Sequence, residues 1–402
     1  MTPEARLVLR EGGPPRVVEL PPAVAEALAA TTVADVELTD RPGWWGVSAG
    51  TKIGVVRIGD LQVVIQPKLD INRLVFLMGY ARGPSFWRDD HVQLDPATDL
   101  PAALADAFLR LAHRALEQGL LKGYLTVEET LPVLRGRVRE ADQLRRRWGH
   151  AIPLEVRYDE FSVDIAENQL LLAAAERLLR TPDAARRHRP GLQRLRLQLA
   201  DVSSPARGGA RPTWTASRLN ARYQPAMELA ELILGGRSFE QRVGDLTVSG
   251  YLFNMATIFE DFVTVALREA MKSFGGRSSL QYRTHLDVAE TVPIRPDFVW
   301  SEQGRPRIVV DAKYKAEKPS GFPQADLYQL LAYCTVLGLP VGHLVYAKGE
   351  EDARTHQVVG SSVRIIAHTL DLTQQPGNLL ASIRELAAEF RGSSQASDEL
   401  AL

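Results

Sequence analysis

Two short segments carry residue types that could do chemistry. RPDFVW (295–300) and IVVDAKYK (308–315) are rich in β-branched and aromatic residues, and SEQGRPR between them is turn-forming. A hairpin centred on Gly304 sets Asp297 opposite Asp311, with Cβ atoms roughly 5 Å apart across an antiparallel pair. Side chains alternate faces along a strand, so Asp311 and Lys313 point the same way. Two carboxylates and an ammonium thereby converge. Facing carboxylates repel, and a hard divalent cation such as Mg²⁺ relieves that repulsion through oxygen ligands. Such an ion polarises a phosphate and lowers the pKa of bound water. Lys313 is placed to orient or deprotonate that water, or to stabilise a pentavalent transition state. This arrangement suits metal-assisted phosphodiester hydrolysis; the plainer reading is a pair of ordinary strand-end charges.

The elements that must position these residues follow from periodicity. A helix over 251–273 carries Leu252, Met255, Phe259, Phe262, Val263 and Ala266 on one stripe, with Glu260 at its edge and Asp261 turned away. Glu260 is thus a candidate further metal ligand, although a boundary glutamate more often snorkels to water. A helix over 325–337, opened by Asp326, sets Gln329 and Tyr333 four apart on one face. There they can position phosphate or the lysine; otherwise Asp326 complements the helix dipole and Tyr333 packs. Strands near 280, 294–300, 307–315, 341–347 and 362–368, with a last helix near 377–390, make this third of the chain α/β.

Upstream, KIGVVRIGDLQVVIQPK (52–68) reads as a hairpin turning at Gly59-Asp60 and stopped by Pro67, and Leu74 to Tyr80 starts a helix. Leu104, Phe108, Leu111 and Leu116 have helical spacing, with Gly123 as C-cap. The arginine-rich run 135–147 suits a partner's acidic surface, a partner's NTPase site, DNA phosphates, or a solvated face balanced by Glu140 and Asp142. Asp159, Glu160, Asp164 and Glu167, with Asn168, could hold a metal, but no His or second cluster supports that, and an N-cap with an acidic first turn before a helix is the better use. Trp44 and Trp45 suit packing or an interaction surface. The expected layout is α+β multidomain: a β-rich domain at 1–95, a mixed helical region with the basic segment at 96–247, an α/β domain at 248–391, and a flexible tail at 392–402. A Pro, Gly and Ser cluster at 203–212 reads as a loop or linker.

Composition narrows the field. With 402 residues, 45% apolar, 48 Lys plus Arg and 49 Asp plus Glu, the chain is globular and nearly neutral, so any nucleic-acid contact rests on local basic patches. One cysteine, Cys334, excludes an intrachain disulfide and a cysteine zinc cluster, and the eight histidines show no ligand spacing. No secretory leader or membrane-length apolar run is visible, so a soluble cytoplasmic protein is expected. GVSAGTKIG (46–54) lacks the spacing of a phosphate-binding loop.

The order of Glu helix, Pro-Asp strand, Asp-x-Lys strand and Gln-x-x-x-Tyr helix resembles the PD-(D/E)XK nuclease superfamily. LFNMATIFEDFV, RPDFVW, VDAKYK, DLYQLLAY and LVYAKG resemble the nuclease domain of the McrC family. Upstream, IGVVRIGDLQVVIQPK with RLVFLMGYA, LPVLRGRVRE and YDEFSVDIAENQLLLAAAERLL are similar too. The resemblance covers most of the chain, least over 180–250. It implies a partner, an AAA+ GTPase hexamer of the McrB kind that reads methylated double-stranded DNA. The McrC-like chain then docks in the ring, stimulates GTP hydrolysis and cuts with Mg²⁺, while GTP binds the partner. It further implies Asp297, Asp311 and Lys313 as the nuclease core, Glu260, Gln329 and Tyr333 as support, and the first two regions as the docking part. The rivals are a stand-alone PD-(D/E)XK nuclease of repair or mobile-element biology, and a docking subunit with a silent nuclease domain.

Overall fold

The computed structural model describes residues 5–31, 33–84, 100–181, 184–205, 212–243, 246–314, 324–347 and 354–399. Outside them lie most of the expected linker at 203–212, the expected boundary at 95/96, the final residues of IVVDAKYK and LVYAKG, and 400–402. The chain folds as two compact units, Met1–Ala103 with Gly236–Leu402, and Leu104–Gly235.

The first unit opens with β1 (Ala5–Arg10), β2 (Arg16–Glu19), α1 (Pro22–Ala30), β3 (Ala34–Leu38), β4 (Trp44–Ala49), β5 (Lys52–Ile58), β6 (Leu61–Gln66) and α2 (Ile71–Tyr80). The β5–β6 hairpin turns at Gly59-Asp60 and stops before Pro67, as its turn signals require. The second unit comprises most of α3 (Leu100–Leu116), then β7 (Gly123–Leu131), β8 (Arg137–Val138), α4 (Glu140–Arg146), β9 (Leu154–Ser162), α5 (Ala166–Arg180), α6 (Ala184–Gln198) and α7 (Gln224–Gly235). Its three strands pair in the order β7-β9-β8. Helix α3 stops at Leu116 rather than at Gly123: Gly119, at φ 83°, takes the left-handed turn, and Gly123 begins β7.

The chain then returns to the first unit through β10 (Arg237–Val243), β11 (Leu246–Asn254), α8 (Met255–Met271), β12 (Arg277–Leu280), β13 (Thr284–His285), β14 (Pro293–Ile294), β15 (Phe298–Glu302), β16 (Arg305–Lys313), α9 (Gln324–Leu337), β17 (Val341–Ala347), β18 (Arg354–Gln357), β19 (Arg364–Leu370) and α10 (Pro376–Glu399). Strand β11 corrects the expected helix over 251–273. Residues 251–254 pair with β5, and 251–252 with β10 as well; that non-local ladder overrides the helical stripe. Helix α8 starts one residue after the strand's last position, Asn254, whose side chain caps it by accepting from the Ala256 N–H at 2.9 Å. Helix α10 runs through Glu399, past Gly392, where a tail is expected.

Two sheets dominate this unit. One has the order β1-β6-β5-β11-β10; the other has β12-β15-β16-β17-β19-β18, parallel at β16–β17–β19 and antiparallel towards both edges. One face of the second sheet packs Val299, Val309, Leu344, Ile365 and Ala367 against Leu330, Tyr333 and Cys334 of α9. Gly342 lets α9 lie close, since a Cβ there would stand 2.5 Å from the Cys334 sulfur. The other face meets α8 and α10. Helix α8 also packs on α2, with Phe262 edge-on to Phe76 at 5.9 Å and to Tyr80 at 5.6 Å. No helix among the described residues is long and apolar enough to cross a membrane.

Gly54 sits where β5 meets β11, at φ +129°, and a Cβ there would lie 2.2 Å from the Tyr251 carbonyl oxygen. Both the backbone angle and the space forbid a side chain. Gly54→Ala is expected to cost about 2–4 kcal/mol, read as a lowered denaturation midpoint with unchanged slope.

Candidate active site

The β15–β16 hairpin pairs Phe298 with Val310, Val299 with Val309 and Trp300 with Ile308. Asp297, one residue before β15, continues this register towards Asp311, as the sequence predicts. The turn itself differs: Glu302 pairs with Arg305 across Gln303-Gly304, both at positive φ. A bulge between Trp300 and Ser301 restores the offset and keeps Asp297 on the face of Asp311. Asp311 and Lys313 share the α9 face with Val309, while Ala312 and Tyr314 face α8.

Asp297 is 6% exposed and Asp311 1%. The Ala312 N–H donates to Asp297 Oδ2 at 2.9 Å. Gln281 Nε2 donates to Asp297 Oδ1 at 3.1 Å and also to Glu260 Oε1. Gln281 therefore ties the α8 glutamate to the strand aspartate. Its left-handed backbone, φ 50°, turns its side chain inward where β12 ends. Asp311 Oδ2 meets the Lys313 ammonium at 2.6 Å as an ion pair and otherwise accepts no hydrogen bond. Gln329 Nε2 donates to the Tyr333 hydroxyl at 2.8 Å, and that hydroxyl donates to the Arg295 carbonyl at 3.4 Å. A cleft of about 470 Å³ is lined by Glu260, Gln281, Asp297, Gln329 and Tyr333, with Arg295 at its side. All six residues singled out by sequence thus lie at or beside one cleft.

The electrostatics of this pair are unusual. Burial, then the adjoining Glu260, pushes the Asp297 carboxyl up to about 6, against the pull of the Ala312 N–H. Burial, then the Asp297 charge, pushes Asp311 up to about 7, with Lys313 pulling the other way. For Lys313, burial disfavours the charge, but Asp311 and then Asp297 and Asp326 outweigh it and hold the proton more firmly than usual. Burial and the Asp311 charge raise the Tyr333 phenol.

A family model described as McrBC 5-methylcytosine restriction system component matches residues 47–347. The chain belongs to the McrBC family. No curated protein matches it in sequence. Among solved structures, the refined half-complex from the tetradecameric assembly of Thermococcus gammatolerans McrB AAA+ hexamers with bound McrC is similar at TM-score 0.55 and 16% identity, over 95% of this chain and 99% of that one. The cryo-EM structure of the Thermococcus gammatolerans McrBC complex gives TM-score 0.41 and 17% identity, over 66% and 88%.

In this McrBC-family chain the remaining sequence signals find structural uses. Asp326 does more than complement a helix dipole: it is 4% exposed and accepts from the Tyr346 hydroxyl at 3.1 Å. Asp164 is not an N-cap. Helix α5 begins after Ile165 with no side-chain cap, and Asp164 accepts instead from Ser203 and Gln169; despite burial, those bonds hold its carboxyl below the usual range. Asp159 accepts from Thr126, Glu160 pairs with Arg135, and Glu167 accepts from Asn220. Buried Asn168 donates to the Leu121 and Val163 carbonyls. Within the basic run, Arg139 pairs with Glu128 and Asp142, while Arg146 and Arg147 approach Glu155. Trp45 Nε1 donates to the Leu20 carbonyl, and Trp44 lies under Arg41. Burial pushes the Cys334 thiol up to about 12. Gln281 escapes sequence reading because no local pattern marks it. The same holds for His343 and His368, brought 3.1 Å apart in the core beside Phe390.

A carboxyl raised on folding binds more protons in the native than in the unfolded state between its ordinary range and its native value. Stability therefore falls as pH rises across that window, here from about 4 to about 7. Asp297→Asn removes one buried charge. In EDTA at pH 8 its melting temperature is expected to exceed wild type by the equivalent of ~1–3 kcal/mol, the gap closing towards pH 4. A gap that stays constant over that range contradicts the geometry.

Proposed function

We propose that this chain is the nuclease subunit of a GTP-dependent restriction complex that makes Mg²⁺-dependent double-strand breaks in methylated DNA. The observation that carries the reading is the buried carboxylate pair, Asp297 and Asp311, with Lys313 ion-paired to Asp311 and Asp297 lining a cleft. Family membership supplies the restriction context.

The donor set fits a hard divalent cation. Mg²⁺ commonly uses one or two carboxylates and completes its shell with water and substrate phosphate. Among the described residues no cluster of three or more His, Cys, Asp or Glu stands ready to hold a metal, so the pair would be the anchor, with Glu260 beside it, tied to Asp297 through Gln281. The raised carboxyls at Asp297 and Asp311 are what a cation would relieve. Bound there, Mg²⁺ supplies Lewis-acid polarisation of the scissile phosphate. The chain's own groups do the rest. Lys313, kept protonated by Asp311, presents positive charge to the developing phosphorane. Tyr333, oriented by Gln329, and Arg295 at the cleft side set the phosphodiester's position.

Docking on an AAA+ partner is supported by the fold shared with an McrC bound to McrB AAA+ hexamers, and on this reading that partner holds the GTP. The second unit offers a surface for it: Leu144, Trp148 and Ile152 are exposed, and Trp148 is 80% exposed. Arg145 is exposed and makes no ion pair among the described residues, unlike Arg146 and Arg147. Arg145→Glu with Trp148→Ala is expected to lower stimulation of the partner's GTP hydrolysis ~10-fold without moving the melting temperature, because both side chains are free of internal work. Unchanged stimulation removes this face from the interface.

The deciding assay offers methylated and unmethylated plasmid to wild type and Lys313→Ala, with Mg²⁺, with and without the partner and GTP. Cleavage is expected only with partner, GTP and methylation, and Lys313→Ala is expected to lose ~10²–10³-fold while still stimulating hydrolysis. Cleavage by the chain alone, indifferent to methylation, establishes a stand-alone nuclease. Stimulation without any cleavage establishes a docking subunit.

A further inference from the structure

Glu11 stands one residue past β1 and is 3% exposed. Its backbone is held on two sides: its N–H donates to the Gln66 carbonyl at 2.9 Å, and it bridges to Ala49 beside the Gly12 N–H bond to the Ala49 carbonyl. Its carboxylate accepts from the Lys68 N–H at 3.2 Å and from the Tyr314 hydroxyl. A buried carboxylate is costly unless its oxygens are occupied, so this one is spent on two donors. Tyr314 follows Lys313, and its ring lies 5.9 Å from Phe259, the residue before Glu260.

The backbone ladder of β16 ends at the pair Lys313–Tyr346. Beyond that pair, among the described residues, Tyr314 is held by the Phe259 ring and by Glu11. Lys313 points to the α9 face and Tyr314 to the α8 face, so holding one sets the direction of the other. We propose that Glu11 is a positioning residue for Lys313: the N-terminal sheet grips Tyr314 and thereby aims the lysine at the Asp297–Asp311 pair.

Its role in turnover rests on the nuclease reading; its grip on the strand does not, and two measurements separate them. The first is the acylation rate of Lys313 in the metal-free full chain, read by peptide mass spectrometry with Lys122 and Lys272 as references. Releasing the strand end is expected to speed Lys313 labelling ~3–10-fold in Glu11→Ala and Tyr314→Phe, while Glu11→Gln, which keeps an acceptor, stays near wild type. The second is cleavage in the full complex. Tyr314→Phe is expected to lower kcat ~10-fold at constant KM for DNA, with Glu11→Gln retaining more activity than Glu11→Ala. Unchanged Lys313 labelling in Tyr314→Phe overturns the proposal, whether or not the chain cleaves. Faster labelling with no cleavage by wild type upholds the grip and sinks the nuclease reading instead.

Discussion

Two like charges buried face to face are the constraint around which the first unit is arranged. Asp297 and Asp311 are both buried, and at such short range and low dielectric their repulsion is far larger than at a surface. The fold answers with a few fixed groups: the Ala312 N–H and the Gln281 amide on Asp297, and the Lys313 ammonium on Asp311. These offset the cost only in part, which is why both carboxyls stay protonated to higher pH than ordinary ones. A packed apolar pair would stabilise this spot better. On the proposed nuclease reading, the tension held in this pair is what a cation and a phosphate would relieve.

That tension depends on strand register. A slip of one residue would carry Asp311 to the α8 face and leave Asp297 alone. Several contacts hold the hairpin against a slip. The Gln303-Gly304 turn fixes one end and the bulge at Trp300–Ser301 corrects the count. Trp300 is fully buried, donates to the Gly275 carbonyl at 3.0 Å and lies under Arg391 of α10, which in turn pairs with Glu302 of the same hairpin. The last long helix is thus fastened to the turn that sets the register.

Local signals suffice to read the hairpin. Turn residues, β-branched runs and the two-residue period of a strand bring Asp297, Asp311 and Lys313 together from the amino-acid order alone, and a four-residue spacing joins Gln329 to Tyr333. Non-local pairing defeats the same reasoning at 251–254, where a helical stripe coexists with a strand paired to β5 and β10. It also hides Gln281, Glu11 and the Asp326–Tyr346 contact. Each joins segments whose meeting depends on how the sheets stack, and an isolated Gln or Glu carries no periodic mark of its partner. The arginine run is ambiguous in sequence for a related reason: Glu128 and Glu155 lie on the β7–β9 sheet, outside the run whose arginines they neutralise.

Strand β11 changes how the first unit is understood. Because β11 belongs to the N-terminal sheet and runs into α8 at Asn254, the helix that carries Glu260 begins where that sheet ends. Helix α2 packs on α8 through Phe76, Tyr80 and Phe262, and Glu11 reaches the strand carrying Lys313 through Tyr314. Three separate connections therefore run from the N-terminal elements to the acids and the lysine at the cleft. In a tightly packed interior a displacement at one end of such a set moves the other rather than dissipating. A boundary drawn between a docking domain and a nuclease domain at residue 248 would sever all three. On the proposed nuclease reading the N-terminal sheet belongs with the cleft, because it holds the far ends of the elements whose near ends carry Glu260 and Lys313.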